Sequence, residues 1–242
     1  MNDSLILMEQ LKSLKLHGMA EAFNAIIRQP VQMRPSLETA ISKMIETEIR
    51  TRDDSRTQRL LKAAKLAMKA HVEDVICSVE RNLTNELMSA LSDCSFVRNG
   101  ENLLITGLAG CGKSFLACAF GHQACTLGYR TLYCNMNHFV SVLKQACLDG
   151  TTEQLHRQMD KVDLLILDDF GMQTITADVR QVLFTLVLDR YEKKSLIITS
   201  QLPFASWYDY IAENTMADAM LDRLSNGSHH IELKGYGNIM IM

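Results

Sequence analysis

The sequence predicts an α/β protein: a mostly parallel sheet with helices on both faces, preceded by a small all-helical segment. Three observations predict it. Five short apolar runs follow residue 100: NLLIT (102–106), TLYCN (131–135), DLLILDD (163–169), SLIITS (195–200) and HHIEL (229–233). A helix-length segment separates each run from the next, as in strands joined by crossover helices. No strand pattern appears before residue 100. Unbroken apolar stretches such as LLIL suit strands buried on both faces.

The amino-terminal elements come first. Leu5, Met8, Leu11, Leu14 and Leu16 recur near helical spacing, and GMAEAFNAII resumes the pattern after His17 and Gly18. Pro30 and Pro35 bracket a break. A helix starting at Ser36 is expected to run through Ile41, Ile45 and Ile49 into a basic stretch, RTRDDSRTQRLLKAAKL. Expected domains are a helical one over 1–75, a linker and helix over 76–95, and the α/β core over 96–242.

Composition bounds the function. Of 242 residues, 47% are apolar and 22% charged, which excludes wholesale disorder. No apolar run reaches the roughly 18 residues of a membrane span. The start, MNDSLILMEQ, lacks a basic region ahead of an apolar stretch, so no signal peptide is expected. The seven cysteines include no C-x-x-C pair, and reduced cytoplasmic thiols are the simplest account. Cys118, His122 and Cys125 share a helix face, but a structural zinc site wants a fourth ligand and none is evident. Against a net charge of −3, residues 50–69 carry seven basic residues with only Asp53 and Asp54 opposing them.

GLAGCGKS (107–114) fits G-x-x-x-x-G-K-[ST]. It follows a strand run and precedes an amphipathic helix. The glycines let backbone N–H groups turn inward around phosphates, and the helix amino terminus adds partial positive charge. The expected phosphate contacts are Gly107, Leu108, Ala109, Gly110, Cys111, Gly112, Lys113, Ser114 and Phe115. Lys113 reaches the β- and γ-phosphates, and Ser114 ligates Mg²⁺. Cys111, at a variable place in the loop, reads first as a tolerated small residue, though a thiol there implies sensitivity to alkylation. The run LLILDD then supplies Asp168 for Mg²⁺, through water, and Asp169 to orient or deprotonate the attacking water. Asp is shorter than Glu at that second place. Thr199, Ser200 and Gln201 end the fourth run; they either sense the γ-phosphate or make ordinary turn chemistry before Pro203. Arg223 is either a solvated helical residue or an arginine supplied in trans to a neighbouring site.

These residues resemble the IstB-like transposition helper ATPases of insertion sequences, relatives of DnaC-type helicase loaders within the AAA+ class. The resemblance runs over nearly the whole chain. It rests on LKLHGMAEAF, RTRDDSRTQRLLKAAKL, the phosphate loop, LLILDDFG, IITSQLPFASW and MADAMLDRL. It implies a P-loop AAA+ core with sheet order 5-1-4-3-2 and no carboxy-terminal lid. It further implies ATP and Mg²⁺ as cofactors, homo-oligomeric assembly on duplex DNA, and a transposase as partner. Carried over by motif, Lys113, Ser114, Asp168 and Asp169 form the nucleotide site. Ser200 or Gln201 takes the sensor position, and Arg223 the arginine finger. The family loop is usually GPPGxGKT; here Leu108 and Ala109 replace the prolines and Ser114 the threonine. Gln201 stands where the family has Asn, one methylene further out.

On a helical wheel, Leu61, Ala64, Met68 and Val72 make one apolar stripe, leaving Arg52, Arg56, Arg59, Lys62 and Lys69 on other faces. Such a run is either a solvated charged face or a sequence-independent contact to DNA phosphates. Two other functions use the same motifs: a replicative helicase loader, and a nucleotide-switched scaffold coating DNA with little turnover. A small-molecule kinase would need a lid with several arginines, and no candidate is seen.

Overall fold

The computed structural model describes residues 2–235. The chain forms two compact units, Met1–Arg59 and Leu60–Met242. The division falls ahead of residue 75 because Leu66, Val72 and Val75 pack on the core of the second unit.

The first unit contains α1 (Asn2–Ser13), α2 (His17–Ile27) and most of α3 (Leu37–Ala64). A short 3-10 turn, Val31–Met33, fills the break between Pro30 and Pro35. The Ser36 hydroxyl accepts from the Thr39 amide at 3.3 Å and caps α3. Gly18 lies where α2 meets α3. A Cβ there would stand 2.6 Å from the Thr47 carbonyl oxygen and 2.7 Å from Glu48 Cα, so only glycine permits this approach. Glu48 is buried against the same place and accepts from the Met19 amide at 3.1 Å and from Arg52 Nε at 2.7 Å. Burial alone would raise its carboxyl; the Arg52 guanidinium and the first amides of α2 outweigh that and hold it below its ordinary value. Replacing Gly18 by Ala must therefore move backbone. It is expected to cost about 1–3 kcal/mol, read by denaturant unfolding followed at the first unit.

The helix ends earlier than the expected stripe requires. It stops at Ala64, and Lys65 takes a left-handed φ of 53°. Met68 and Val72 are not on this helix, and Lys69 lies on the extended segment that follows. Ala70 is fully buried, and Leu66 reaches over Gly121. Packing of these side chains outweighs the local helical preference of LLKAAKLAMKA.

The second unit starts with α4 (Asn85–Ser92) and α5 (Ser95–Asn99) and continues as β1 (Asn102–Gly107), α6 (Lys113–Thr126), β2 (Thr131–Asn135), α7 (Met136–Leu148), α8 (Thr152–Asp160), β3 (Leu164–Phe170), α9 (Ala177–Arg190), β4 (Ser195–Ser200), α10 (Trp207–Ile211), α11 (Asn214–Ser225) and β5 (Ser228–Leu233). All the strand pairs are parallel, in the order β2-β3-β4-β1-β5. Read from the other edge, this is the expected 5-1-4-3-2. Successive strand residues point to opposite faces. Leu104, Leu165, Leu167, Leu196 and Ile198 join one core with Phe139, Leu183 and Trp207. Leu103, Ile105, Leu164, Ile166, Ile197 and Ile231 join the other with Phe96, Leu116 and Phe120. The three inner strands, β1, β3 and β4, therefore read as continuous apolar runs, because both of their faces are covered.

Arg190 closes one end of the sheet. It is 1% exposed. Its guanidinium donates to the carbonyls of Met159, Val162, Asp163 and Ser195 at 2.8–3.1 Å. Burial pulls it down to about 10. The carboxyl ends of the strands lie at the other end, where chain reversals gather the polar residues described next. The expected absence of a lid concerns residues beyond 235, outside those described.

Candidate functional site

The loop after β1 is shaped by glycine. Gly107, Gly110 and Gly112 have φ of 149°, 78° and 93°. A Cβ on Gly107 would stand 2.4 Å from the Leu233 carbonyl oxygen. Lys113, the first residue of α6, is 6% exposed, and its ammonium donates to the Gly107 and Leu108 carbonyls, both at 2.8 Å. Cys111 faces inward and is fully buried, with Sγ 3.9 Å from Lys113 Nζ. The expected alkylation at Cys111 is thus blocked by packing; Cys147 is the exposed thiol. A residue outside the motif also holds the loop. Arg81 donates to the Cys111 carbonyl at 2.9 Å and to the Ile76 carbonyl.

Asp168 sits opposite the loop, 2% exposed. It accepts hydroxyl donors on both oxygens. Ser114 Oγ donates to Oδ1 at 2.9 Å, Thr199 Oγ1 donates to the same oxygen, and Tyr133 OH donates to Oδ2 at 2.6 Å. Burial and then the Asp168 carboxylate push the Tyr133 phenol far up, so it stays a donor. Asp169 breaks the β3–β4 register and has a φ of 62°. Asp is among the few residues that tolerate this region. Its amide donates to Thr199 Oγ1 at 3.0 Å, and its Oδ2 accepts from Asn135 Nδ2 at 2.9 Å. Asn135 also caps α7 through the Asn137 amide at 3.0 Å.

One hydroxyl, that of Thr199, therefore fixes both acids. Ser200 does something else: it is fully buried, donates to the Phe170 carbonyl at 2.6 Å and accepts from the Leu202 amide at 3.0 Å. That is the turn chemistry among the two readings of this segment, and Trp207 completes the turn by donating to the Leu202 carbonyl at 3.2 Å. Gln201 lines a cleft of about 310 Å³ with Thr106, Gly107, Leu108 and Glu232. Phe115 stands in the first turn of α6 and packs on the small cluster of Ala70, Cys118 and Ala119.

Arg223 is in the last turn of α11. It donates to the Ala219 carbonyl at 2.7 Å and lies over the Tyr191 ring at 5.9 Å. Neither partner belongs to the phosphate loop or the acid pair. In the first unit, Arg52 is tied to Glu48 at 2.7 Å, while Arg56 and Arg59 are exposed on α3; Lys62 and Lys69 are also exposed. Cys118 and Cys125 are buried within α6, and burial pushes both thiols up. His122 meets His71 edge-to-face, with ring centroids 4.2 Å apart.

The donor set fits Mg²⁺. A serine hydroxyl and a carboxylate oxygen 2.9 Å apart are hard ligands at the end of a phosphate loop. Ser114 would hold the ion, with Asp168 reaching it through water.

A strand-loop-helix phosphate cradle, an acid pair on the third strand and this sheet order define a P-loop nucleotide-binding protein of AAA+ type. Comparison with known proteins places it further. A family model described as IstB-like ATP binding protein matches residues 9–238, and the chain belongs to that family. It is 37% identical over 228 residues to the insertion-sequence ATP-binding protein y4pL of Sinorhizobium fredii, covering 94% of this chain and 93% of that one. It is 38% identical over 197 residues to an ATP-binding protein of insertion sequence IS1162 from Pseudomonas fluorescens, covering 81% and 85%. Among solved structures, the DnaC helicase loader matches with a TM-score of 0.56 at 20% identity, over 68% of this chain and 97% of that one. AMPPCP-bound DnaA from Aquifex aeolicus matches with a TM-score of 0.57 at 24% identity, over 69% and 51%. These two likenesses concern the fold. Among the described residues, no helix is long and apolar enough to cross a membrane.

Proposed function

We propose that this chain is an ATP-hydrolysing helper of transposition, which assembles with copies of itself on duplex DNA and recruits or activates a transposase in the cytoplasm. The observation that carries the reading is the acid pair fixed by Thr199 beside Lys113 and Ser114. The names of the curated relatives supply the insertion-sequence context.

The residues divide the work. The loop amides and Lys113 bind the β- and γ-phosphates. Mg²⁺, when bound through Ser114 and Asp168, neutralises charge that develops on the phosphates. Asp169 orients the attacking water and accepts its proton; the Asn135 amide and the Thr199 hydroxyl hold it in place. Gln201, at the cleft beside Gly107, responds to the γ-phosphate. Arg223 is turned to partners other than its own loop, which suits a finger offered to the neighbouring subunit. Arg52, Arg56, Arg59, Lys62 and Lys69 meet backbone phosphates without reading sequence.

The test is steady-state ATP hydrolysis against protein concentration, with and without plain duplex DNA. Turnover per subunit should rise cooperatively with concentration, and DNA should shift the rise to lower concentration. Turnover per subunit that is independent of concentration and of DNA would refute the shared site.

A further inference from the structure

The geometry points to a preformed pocket in the first unit that takes a single backbone phosphate of duplex DNA, with Lys15 as its anchoring cation. The inference rests on the DNA-binding reading above and gives it one site. Lys15, His17, Arg52, Ser55, Arg56 and Arg59 line a concavity of about 190 Å³. Pockets for whole small molecules run from about 300 Å³ upward, so this one suits one phosphate group. Thr51 and Glu48 complete the wall. Thr51 donates its hydroxyl to the Thr47 carbonyl at 2.8 Å, and Glu48 spends its oxygens on Arg52 Nε and the Met19 amide. Four permanent cations and one carboxylate, itself paired with Arg52, thus line the pocket.

Lys15 supplies a second, independent observation. It closes α1 with a left-handed φ of 60°. Its amide donates to Lys12 O and the Leu16 amide to Leu11 O, both at 2.9 Å, the paired bonds of a helix end that ordinarily carries glycine. A lysine here is strained where glycine would not be. Strain held at one residue beside a charged pocket is the pattern of a functional position. Arg52, Arg56 and Arg59 follow at helical spacing along α3 and complete the ring.

The experiment measures binding of two unrelated duplexes to the full chain with ATP, by fluorescence anisotropy over a salt series. Lys15→Gly and Arg59→Gln are compared with Lys43→Gln, which removes the same charge from α3 outside the pocket. Lys15→Gly should fold with no loss of thermal stability, since glycine suits the left-handed turn. Each pocket variant should weaken both duplexes alike and lower the slope of log affinity against log salt by about 1. Lys43→Gln should leave the slope near the parent value. Equal slopes for Lys15→Gly and Lys43→Gln would overturn the pocket while leaving DNA binding intact. No salt-dependent binding by the parent protein would instead overturn the DNA reading itself. Inorganic phosphate, added at constant ionic strength, separates the sources. If it raises the thermal midpoint of the parent but not of Lys15→Gly, and DNA affinity is unchanged by the substitution, the pocket serves free phosphate and the proposal fails.

Discussion

Replacing Arg223 by alanine is expected to lower ATP turnover by about 10³–10⁵, the range over which an arginine supplied in trans accelerates phosphoryl transfer. ATP affinity should stay close to the parent value, because Arg223 touches Ala219 and Tyr191 rather than the loop. Fold should be nearly unchanged. The side chain is half-buried, and its polar contacts are a carbonyl of its own helix and a ring face. The measurement is a rate per subunit under conditions where the parent is assembled, with fluorescent ATP binding alongside. A drop in affinity equal to the drop in rate would place Arg223 in ground-state binding instead.

The second large effect concerns Asp169. Asp169→Asn should reduce turnover by about 10²–10⁴, the usual worth of a general base. The substitution isolates chemistry from folding. Asn tolerates a left-handed φ as Asp does, and the backbone amide that donates to Thr199 is kept. The lost feature is the charge and proton affinity of one carboxylate. ATP binding should persist, so ATP-dependent assembly on DNA should outlast that of the parent. Asp169→Val provides the contrast. A β-branched residue at φ 62° is strained, and this variant should also lose stability, read by thermal unfolding. If Asp169→Asn turns over ATP at the parent rate, the water is activated elsewhere.

Much of the core was legible because its signals are local. Strands buried on both faces leave unbroken apolar runs, as LLIL in β3 and SLIITS in β4 do. The phosphate loop is a contiguous motif whose glycines answer to backbone geometry. The strand order was not written in any one segment; it came with the family resemblance. What escaped the sequence depends on side chains brought together from afar. Tyr133 and Thr199 look like ordinary strand residues until β2 and β4 flank Asp168. Asn135 looks like a helix cap, which it is, and its other end reaches Asp169. Arg81 lies 30 residues before the loop carbonyl it holds. The end of α3 was misplaced for a similar reason. No proline or glycine stops the helix, and burial of Leu66 and Ala70 on the core does. In the basic stretch, charge was readable and geometry was not. That Arg52 pairs with Glu48, and that Lys15 joins the arginines, follows from the way α2 meets α3 around Gly18.

The central claim is an ATP site completed by a neighbouring subunit, and mixing two inactive variants tests it most directly. Arg223→Ala keeps Asp169, and Asp169→Asn keeps Arg223. Each alone should show little turnover. Mixed on duplex DNA with ATP, they should regain it, because an Asp169→Asn subunit offers its arginine to the intact acid of an Arg223→Ala neighbour. Co-assembly is checked by size-exclusion chromatography of differently labelled subunits. A mixture that co-assembles yet stays as inactive as its parts would contradict the shared site.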